Sequence, residues 1–187
     1  MINVIVAITG ASGAIYARQV IELLLASEQV ERIALILSDT AKQVVEHEGE
    51  RLPASERIEL YDNHEMFSSV ASGSAAWDAM IIVPASMGSV GRMAAGVSQT
   101  LIERAADVML KERRKLVIVP RETPYSLIHL RNMTTLTEAG AIILPASPSF
   151  YSNPETIQQA VDTVVERIMA HAGIKAPHYE FIGHEGK

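Results

Sequence analysis

The chain has 187 residues, of which 48% are apolar, enough for one globular domain with a complete hydrophobic core. Its 22 Asp and Glu residues outnumber its 16 Lys and Arg residues, giving a formal charge of −6, so we expect no nucleic-acid partner. No cysteine occurs, which excludes disulfides, thiolate metal sites and cysteine nucleophiles.

The first residues include neither a basic segment nor a long apolar segment, and every later apolar run is too short to span a bilayer. We therefore expect a soluble, cytoplasmic protein that does not contact membranes. We also expect a single domain over residues 1–187.

Five short apolar runs, rich in Val or Ile, are followed closely by Gly, Ser or Pro: residues 4–8, 33–37, 80–83, 116–119 and 141–144. Runs that are apolar at successive positions are typical of strands buried on both faces. Helical patterns at residues 14–26, 99–111 and 154–172 alternate with them. The pattern predicts a doubly wound α/β fold with a mostly parallel sheet.

Residues 48–76 are polar and weakly periodic, and they include Pro53 and Gly73. We predict an irregular connection that holds a short helix at most. A connection of this length is either functional or a plain solvent-exposed loop.

The first predicted strand continues into Thr-Gly-Ala-Ser-Gly-Ala at residues 9–14, directly before a helix. Gly10, Ser12 and Gly13 leave backbone N–H groups free to face an anion, and the helix dipole favours negative charge there. The spacing matches neither G-x-G-x-x-G nor a Walker A loop. The segment is therefore either a phosphate-binding loop or a plain tight turn.

Ser38 and Asp39 follow the second strand. An acidic residue there is typical of a ribose contact in NAD-binding folds, but Ser and Asp are equally favoured as helix N-caps. Residues 84–89 after the third strand form another small, hydroxyl-bearing loop that begins a helix. Two such loops on one sheet edge indicate a ligand the size of a nucleotide.

Arg121 and Glu122 lie between two prolines after the fourth strand, at the edge where ligands collect in open parallel sheets. They indicate a functional site, although an ion pair that braces the loop is the alternative. After the fifth strand, a proline-stiffened loop carries Phe150 and Tyr151. Tyr151 is expected to reach a polar group.

Three further patterns point to no chemistry. The basic run at residues 111–115 is typical of the solvated end of a helix. The six histidines show no ligand spacing, so we expect no metal. No G-x-S-x-G motif supports a serine hydrolase.

Taken in order, these motifs resemble the UbiX-type flavin prenyltransferase family, whose members have a Rossmann-like flavoprotein fold. The similarity covers about residues 3–170. Its most specific stretches are residues 9–14, 101–108, 110–114, 119–124 and 145–154.

The resemblance implies that reduced FMN is the prenyl acceptor and that one set of residues binds its phosphate and ribityl chain. These residues are Gly10, Ala11, Ser12, Ser38, Ser86, Met87, Gly88, Ser89 and Arg104. It also implies that dimethylallyl phosphate is bound by Tyr151 and Arg167, with Lys111, Arg121 and Glu122 close by. Implied catalytic residues are Ser12, Glu48, Lys111 and Glu122.

Members of the family transfer the prenyl group to flavin N5 and then close a ring at C6 without a metal. Breaking an allylic C–O bond in this way leaves a phosphate dianion, which cationic donors stabilise, and an allylic cation, which a π-face stabilises. Glu122, Ser12 and the retained phosphate are candidate acid–base groups. The resemblance further implies a homo-oligomer such as a dodecamer, and a partner decarboxylase of the UbiD type that uses the product.

Two features depart from the family pattern: Asp39 stands where many members have Lys, and the segment after Gly173 lacks a tryptophan that some relatives have. Three other functions remain open. One is a non-catalytic, FMN-binding accessory subunit of an aromatic-acid decarboxylase. The others are a peptidyl-cysteine-type decarboxylase, whose relatives use a Cys that this chain lacks, and an NAD-dependent oxidoreductase.

Overall fold

The computed structural model describes residues 1–176 and contains one six-stranded sheet in the order β3-β2-β1-β4-β5-β6. All neighbouring strands are parallel. The strands are β1 (Ile2–Ile8), β2 (Val30–Leu37), β3 (Ile58–Asp62), β4 (Ala79–Ala85), β5 (Lys115–Pro120) and β6 (Ile142–Ile143). The helices are α1 (Ala14–Ala26), α2 (Asp39–His47), α3 (Met87–Ala94), α4 (Leu101–Lys111), α5 (Leu127–Glu138) and α6 (Ile157–Ala172), with a short 3-10 helix at Ser69–Ala71.

Alternate residues of each central strand point to opposite faces of the sheet and build two separate cores. On β1, Val4 and Val6 pack with α1 and α6 on one face. Ile5 and Ala7 pack with α3, α4 and α5 on the other face. The predicted doubly wound α/β fold is confirmed.

Most helices begin at a side chain that accepts a backbone N–H, as expected for Ser and Thr at N-caps. Ser38, Ser86 and Thr156 cap α2, α3 and α6 in this way. The exception that matters for the site is α1, whose N-cap residue Gly13 has a φ of 110° and no side chain to offer. A glycine is needed there because that backbone conformation strains other residues.

The prediction of an irregular connection over residues 48–76 was wrong in one respect. Residues Ile58–Asp62 form β3, an edge strand paired in parallel with β2. Its residues are partly or fully exposed, so its sequence lacks the continuous apolar run of a buried strand. Only Ile142–Ile143 of the fifth predicted run is a strand.

The parallel strands place the loops after β1, β4 and β5 at one edge of the sheet, called the carboxyl edge below. Within residues 1–176, no helix combines the length and apolarity needed to cross a bilayer. The C-terminal segment from residue 177 onward, which includes His178 and His184, lies outside the described residues.

Candidate active site at the carboxyl edge

Thr9, the first residue after β1, ties the two small loops of the carboxyl edge together. Its side chain is 1% exposed, and its hydroxyl donates to the carbonyl oxygen of Pro84 at 3.0 Å. The Thr9 hydroxyl oxygen in turn accepts the backbone N–H of Ser86 at 2.7 Å. The loops after β1 and β4 therefore form one surface. Sequence reasoning did not single out Thr9, although a Thr after a buried strand is a usable signal.

Glu48 occupies the amino end of α1. Its carboxylate accepts the backbone N–H groups of Gly13, at 3.0 and 3.1 Å, and of Ala14, at 2.7 Å. Burial raises the pKa of the Glu48 carboxyl, but hydrogen bonds from Ser12, Gly13 and Ala14 and the charge of Arg121 outweigh burial and hold the pKa below its ordinary value. One of the N–H groups that we expected to face a phosphate, that of Gly13, is thus bound by a carboxylate of the chain itself.

Arg121 and Glu122 lie where the sequence predicted them, just after β5. The Nε of Arg121 donates to the carbonyl oxygen of Ser12 at 3.2 Å, linking the β5 loop to the β1 loop. The Glu122 carboxylate is exposed and accepts the backbone N–H of Thr123 at 3.0 Å. Each side chain thus has its own partner. Among the described residues, Arg121 and Glu122 do not form the ion pair that we considered as the alternative.

Two neighbouring cavities lie beside this loop. One, of about 370 Å³, is lined by Arg121, Glu122, Tyr125 and Ser147, among others. Burial raises the pKa of the Tyr125 phenol, and the charge of Glu122 raises it further, so Tyr125 stays a hydrogen-bond donor at neutral pH. Sequence reasoning missed Tyr125 because a lone tyrosine in a loop carries no specific signal.

The second cavity, of about 610 Å³, runs between β6 and α6 and contains both Tyr151 and Arg167. Arg167 Nη2 lies 3.4 Å from Nε2 of His171, one turn further along α6. Ser147 lines both cavities. The structure therefore brings Tyr151 and Arg167 into one cavity, which adjoins the cavity lined by Arg121 and Glu122.

Ser38 acts as the N-cap of α2, since its hydroxyl accepts the backbone N–H of Ala41 at 3.1 Å. Asp39 pairs with Lys42 at 3.2 Å and with His64 at 2.9 Å. The hydrogen bond between Asp39 and His64 lowers the pKa of the carboxyl and raises that of the imidazole. These contacts support the capping interpretation of the Ser-Asp pair over the ribose contact.

The loop before α3 offers donors to a ligand. Ser86 accepts the backbone N–H of Ser89 at 3.4 Å, and their hydroxyls lie 3.0 Å apart. Among residues 1–176, the N–H groups of Met87 and Gly88 form no hydrogen bond. The same holds for those of Gly10 and Ser12 in the neighbouring loop. These four N–H groups suit an anion at the joined loops.

Two predicted site residues lie elsewhere in this chain. Lys111 ends α4, beside Gly73 and paired with Glu112, four residues before β5 begins at Lys115. It is thus at the opposite edge of the sheet from Glu122, so a single chain does not bring both side chains to one phosphate. Arg104 donates to the carbonyl oxygen of Ala71 at 3.2 Å and to Asp107 at 2.8 Å, away from the two loops.

The residues described here contain no cluster of three or more His, Asp or Glu side chains able to hold a metal ion. The ionic contact nearest the α3 loop joins Arg92 to Glu103, a pair that sequence reasoning did not identify. Arg92 lies in α3 and Glu103 in α4. Two charged residues eleven positions apart, in different helices, form no sequence pattern that predicts their contact.

The parallel sheet and its joined Ser/Gly loops define an α/β flavoprotein, and the family model described as Flavoprotein matches residues 1–171. The chain is 41% identical over 175 residues to the flavin prenyltransferase UbiX of Methanocaldococcus jannaschii, covering 92% of this chain and 94% of that protein. It is 45% identical over 172 residues to the flavin prenyltransferase LpdB of Lactiplantibacillus plantarum, covering 90% and 91%. The chain belongs to the flavin prenyltransferase family.

Solved structures agree with this membership. A dodecameric, FMN-dependent UbiX-like decarboxylase from Escherichia coli superposes with a TM-score of 0.90 at 36% identity, covering 97% of this chain and 100% of that one. AnUbiX in complex with FMN and dimethylallyl pyrophosphate superposes with a TM-score of 0.86 at 36% identity, covering 96% and 99%. The peptidyl-cysteine decarboxylase EpiD shares the fold, with a TM-score of 0.64 and 17% identity.

Proposed function

We propose that this protein joins the dimethylallyl group of dimethylallyl phosphate to N5 and C6 of reduced FMN. The observation that carries the proposal is the pair of cavities that meet at Ser147, one lined by Arg121 and Glu122 and the other by Tyr151 and Arg167. Both adjoin loops of the carboxyl edge, where ligands of parallel α/β folds bind. A solved relative, AnUbiX, is described in complex with FMN and dimethylallyl pyrophosphate.

The joined loops would hold FMN. Within residues 1–176, the N–H groups of Gly10, Ser12, Met87 and Gly88 form no hydrogen bond and suit a phosphate. Ala11 and the hydroxyls of Ser86 and Ser89 complete the loops. Bound reduced FMN supplies the nucleophilic N5 and C6 positions.

Tyr151 and Arg167 would bind the phosphate of the prenyl donor. The allylic C–O bond breaks as inorganic phosphate leaves, so negative charge grows on the leaving oxygen. An Arg guanidinium and a phenol O–H stabilise that charge by charge-assisted hydrogen bonds. Arg121 lines the adjoining cavity and adds a second cation on the side of Ser12.

Glu122 is the group best placed to accept a proton. It is exposed to its cavity, and forming bonds at N5 and C6 requires that protons leave the flavin. Ser12 lies close to the loop that carries Glu122, because its carbonyl oxygen accepts a hydrogen bond from Arg121. Glu48 is less suited to this role, because three short contacts to Gly13 and Ala14 hold it as the cap of α1.

Lys111 would reach a phosphate only from another subunit, because it lies at the opposite edge of the sheet. We propose a homo-oligomer, in which Lys111 and Arg104 of one copy complete the site of a neighbour. The dodecameric state of the Escherichia coli relative supports this arrangement. Exposed apolar side chains near the site, including Leu127, Ile128 and Phe150, suit contacts between copies.

The product would serve as the cofactor of a UbiD-type decarboxylase, which acts as the partner of this protein. We place the protein in the cytoplasm, which the cysteine-free sequence supports, since it needs no oxidising compartment. The same sequence supports one domain over residues 1–187, as the described residues share a single sheet.

Phosphate release tests the reaction class. The protein is mixed anaerobically with dimethylallyl phosphate and either reduced or oxidised FMN, and inorganic phosphate is followed with time. We expect release only with reduced FMN, because an acceptor must capture the prenyl group. Equal release with oxidised FMN would indicate a phosphatase, and FMN binding with no release would indicate a non-catalytic accessory subunit.

A further inference from the structure

Arg92 and Glu103 form an ion pair between α3 and α4 that the proposed reaction does not use. Glu103 is 2% exposed and accepts the backbone N–H groups of Gln99 at 2.9 Å and Thr100 at 3.1 Å, as well as Nε of Arg92. Burial raises the pKa of Glu103, but these hydrogen bonds outweigh it and keep the pKa below its ordinary value. A fixed, charged carboxylate thus holds one side of the guanidinium.

The other side of the guanidinium contacts the first turn of α3. Nη2 of Arg92 lies 3.3 Å from the hydroxyl of Ser89, and Nη1 lies 3.4 Å from the position that a Cβ on Gly88 would take. The Arg92 side chain is 48% exposed. Its Nη1 donors have no acceptor among the residues that the structure describes, so they are open to a ligand.

We infer that Arg92 binds the 5′-phosphate of the flavin and selects FMN over riboflavin, and that Glu103 is the positioning residue for Arg92. The inference rests on the proposed function, because it assumes that a flavin occupies the joined loops. A cation next to the donors of Met87 and Gly88 favours a dianion there.

The amino end of α1 is the other place on this surface where a phosphate could bind, but a carboxylate of the chain already occupies it. At the amino end of α1, the N–H groups of Gly13 and Ala14 already bind the Glu48 carboxylate, and a phosphate there would meet a negative charge. At the amino end of α3, by contrast, the Arg92 guanidinium lies beside Gly88 and the Ser89 hydroxyl. The charges of Glu48 and Arg92 therefore direct a phosphate to the α3 loop.

Binding of FMN and riboflavin to the Arg92→Met variant tests the inference by flavin fluorescence, without any need for turnover. We expect the FMN dissociation constant to rise about 10–100-fold, the effect of one charge-assisted hydrogen bond to phosphate, while riboflavin binding stays unchanged. Arg51→Met, which removes one exposed positive charge elsewhere, is the matched control. Unchanged FMN binding, or equal losses for both flavins, would overturn the inference.

A double-mutant cycle separates positioning by Glu103 from a purely structural role. Glu103→Gln alone should raise the FMN dissociation constant about 3–10-fold through a poorly held Arg92. In the Arg92→Met background the same change should add nothing, whereas a structural role would weaken FMN binding in both backgrounds. Failure of the wild-type protein to bind FMN would refute the proposed function, while FMN binding that is insensitive to Arg92 would refute this inference alone.

Discussion

Oε2 of Glu48 lies 2.7 Å from the backbone nitrogen of Ala14, across 34 residues of sequence, and caps α1 with a carboxylate. The natural N-cap position is Gly13, which has no side chain to do this. A carboxylate at a helix amino end interacts favourably with the helix dipole. Glu48 therefore stabilises the loop that joins β1 to α1, on which the site is built.

The Glu48→Gln variant should be less stable than the wild type at neutral pH by about 0.3–2 kcal/mol, the range for a charge at a helix end. Because the hydrogen bonds at α1 lower the folded-state pKa, this difference should be fully present above the ordinary Glu pKa of about 4.3 and lost as pH falls through the lowered value. Urea unfolding at several pH values measures it.

The exposed Glu46 on α2 supplies the control, since Glu46→Gln should leave stability unchanged throughout. A difference between Glu48→Gln and the wild type that stays constant with pH would contradict the capping role. Turnover by Glu48→Gln should fall less than about tenfold, whereas a general base would cost about 10²–10⁴-fold.

Glu122→Gln should bind FMN normally but turn over about 10²–10⁴-fold more slowly. The amide has nearly the same shape as the carboxylate but accepts no proton, so binding survives and proton removal does not. Flavin binding and single-turnover kinetics, measured on one preparation, check both halves. Glu138→Gln, at the exposed end of α5, is the control, and normal turnover by Glu122→Gln would remove Glu122 from the mechanism.

Tyr151→Phe and Arg167→Ala should leave the FMN dissociation constant unchanged and raise the apparent constant for dimethylallyl phosphate. The expected rise for Arg167→Ala is about 10–100-fold, because a charge-assisted bond to phosphate is lost. Both side chains line the cavity beside β6, away from the joined Ser/Gly loops. If either variant loses flavin but keeps its affinity for the prenyl phosphate, the two subsites are assigned wrongly.

Mixed oligomers test whether Lys111 acts across a subunit junction. Lys111 and Glu122 lie at opposite ends of β5, whose six residues span roughly 20 Å. Lys111→Ala and Glu122→Gln should each be nearly inactive alone, yet co-expressed chains should regain part of the activity in sites formed by the two intact surfaces. No recovery in isolated mixed oligomers would show that each chain uses its own Lys111.

The sequence predicted the buried strands well, because continuous apolar runs such as residues 80–83 reflect burial on both faces. It missed β3, whose Glu59 and Leu60 are exposed at the sheet edge, and it did not identify α5, whose polar residues resemble those of a loop. Helix direction also explains why Lys111 lies far from Glu122 in one chain: a residue at the carboxyl end of a crossover helix lies at the amino edge of a parallel sheet.

The site was only partly predictable for a related reason. Motifs locate loops such as residues 84–89, but they do not show which N–H groups another part of the chain already binds. The hydrogen bond from Gly13 to Glu48 and the ion pair between Arg92 and Glu103 each join different elements of the chain. Both contacts affect where a phosphate can bind. Such pairings become visible only once the sheet has brought the elements together.

The mass of the flavin after reaction tests the central claim most directly. Reduced FMN and dimethylallyl phosphate are incubated anaerobically with the protein, the protein is removed, and the flavin is analysed by mass spectrometry and absorbance. We predict a flavin heavier by one five-carbon prenyl unit, formed together with an equal amount of inorganic phosphate. Recovery of unmodified FMN from a protein that binds both compounds would contradict the assignment of a flavin prenyltransferase.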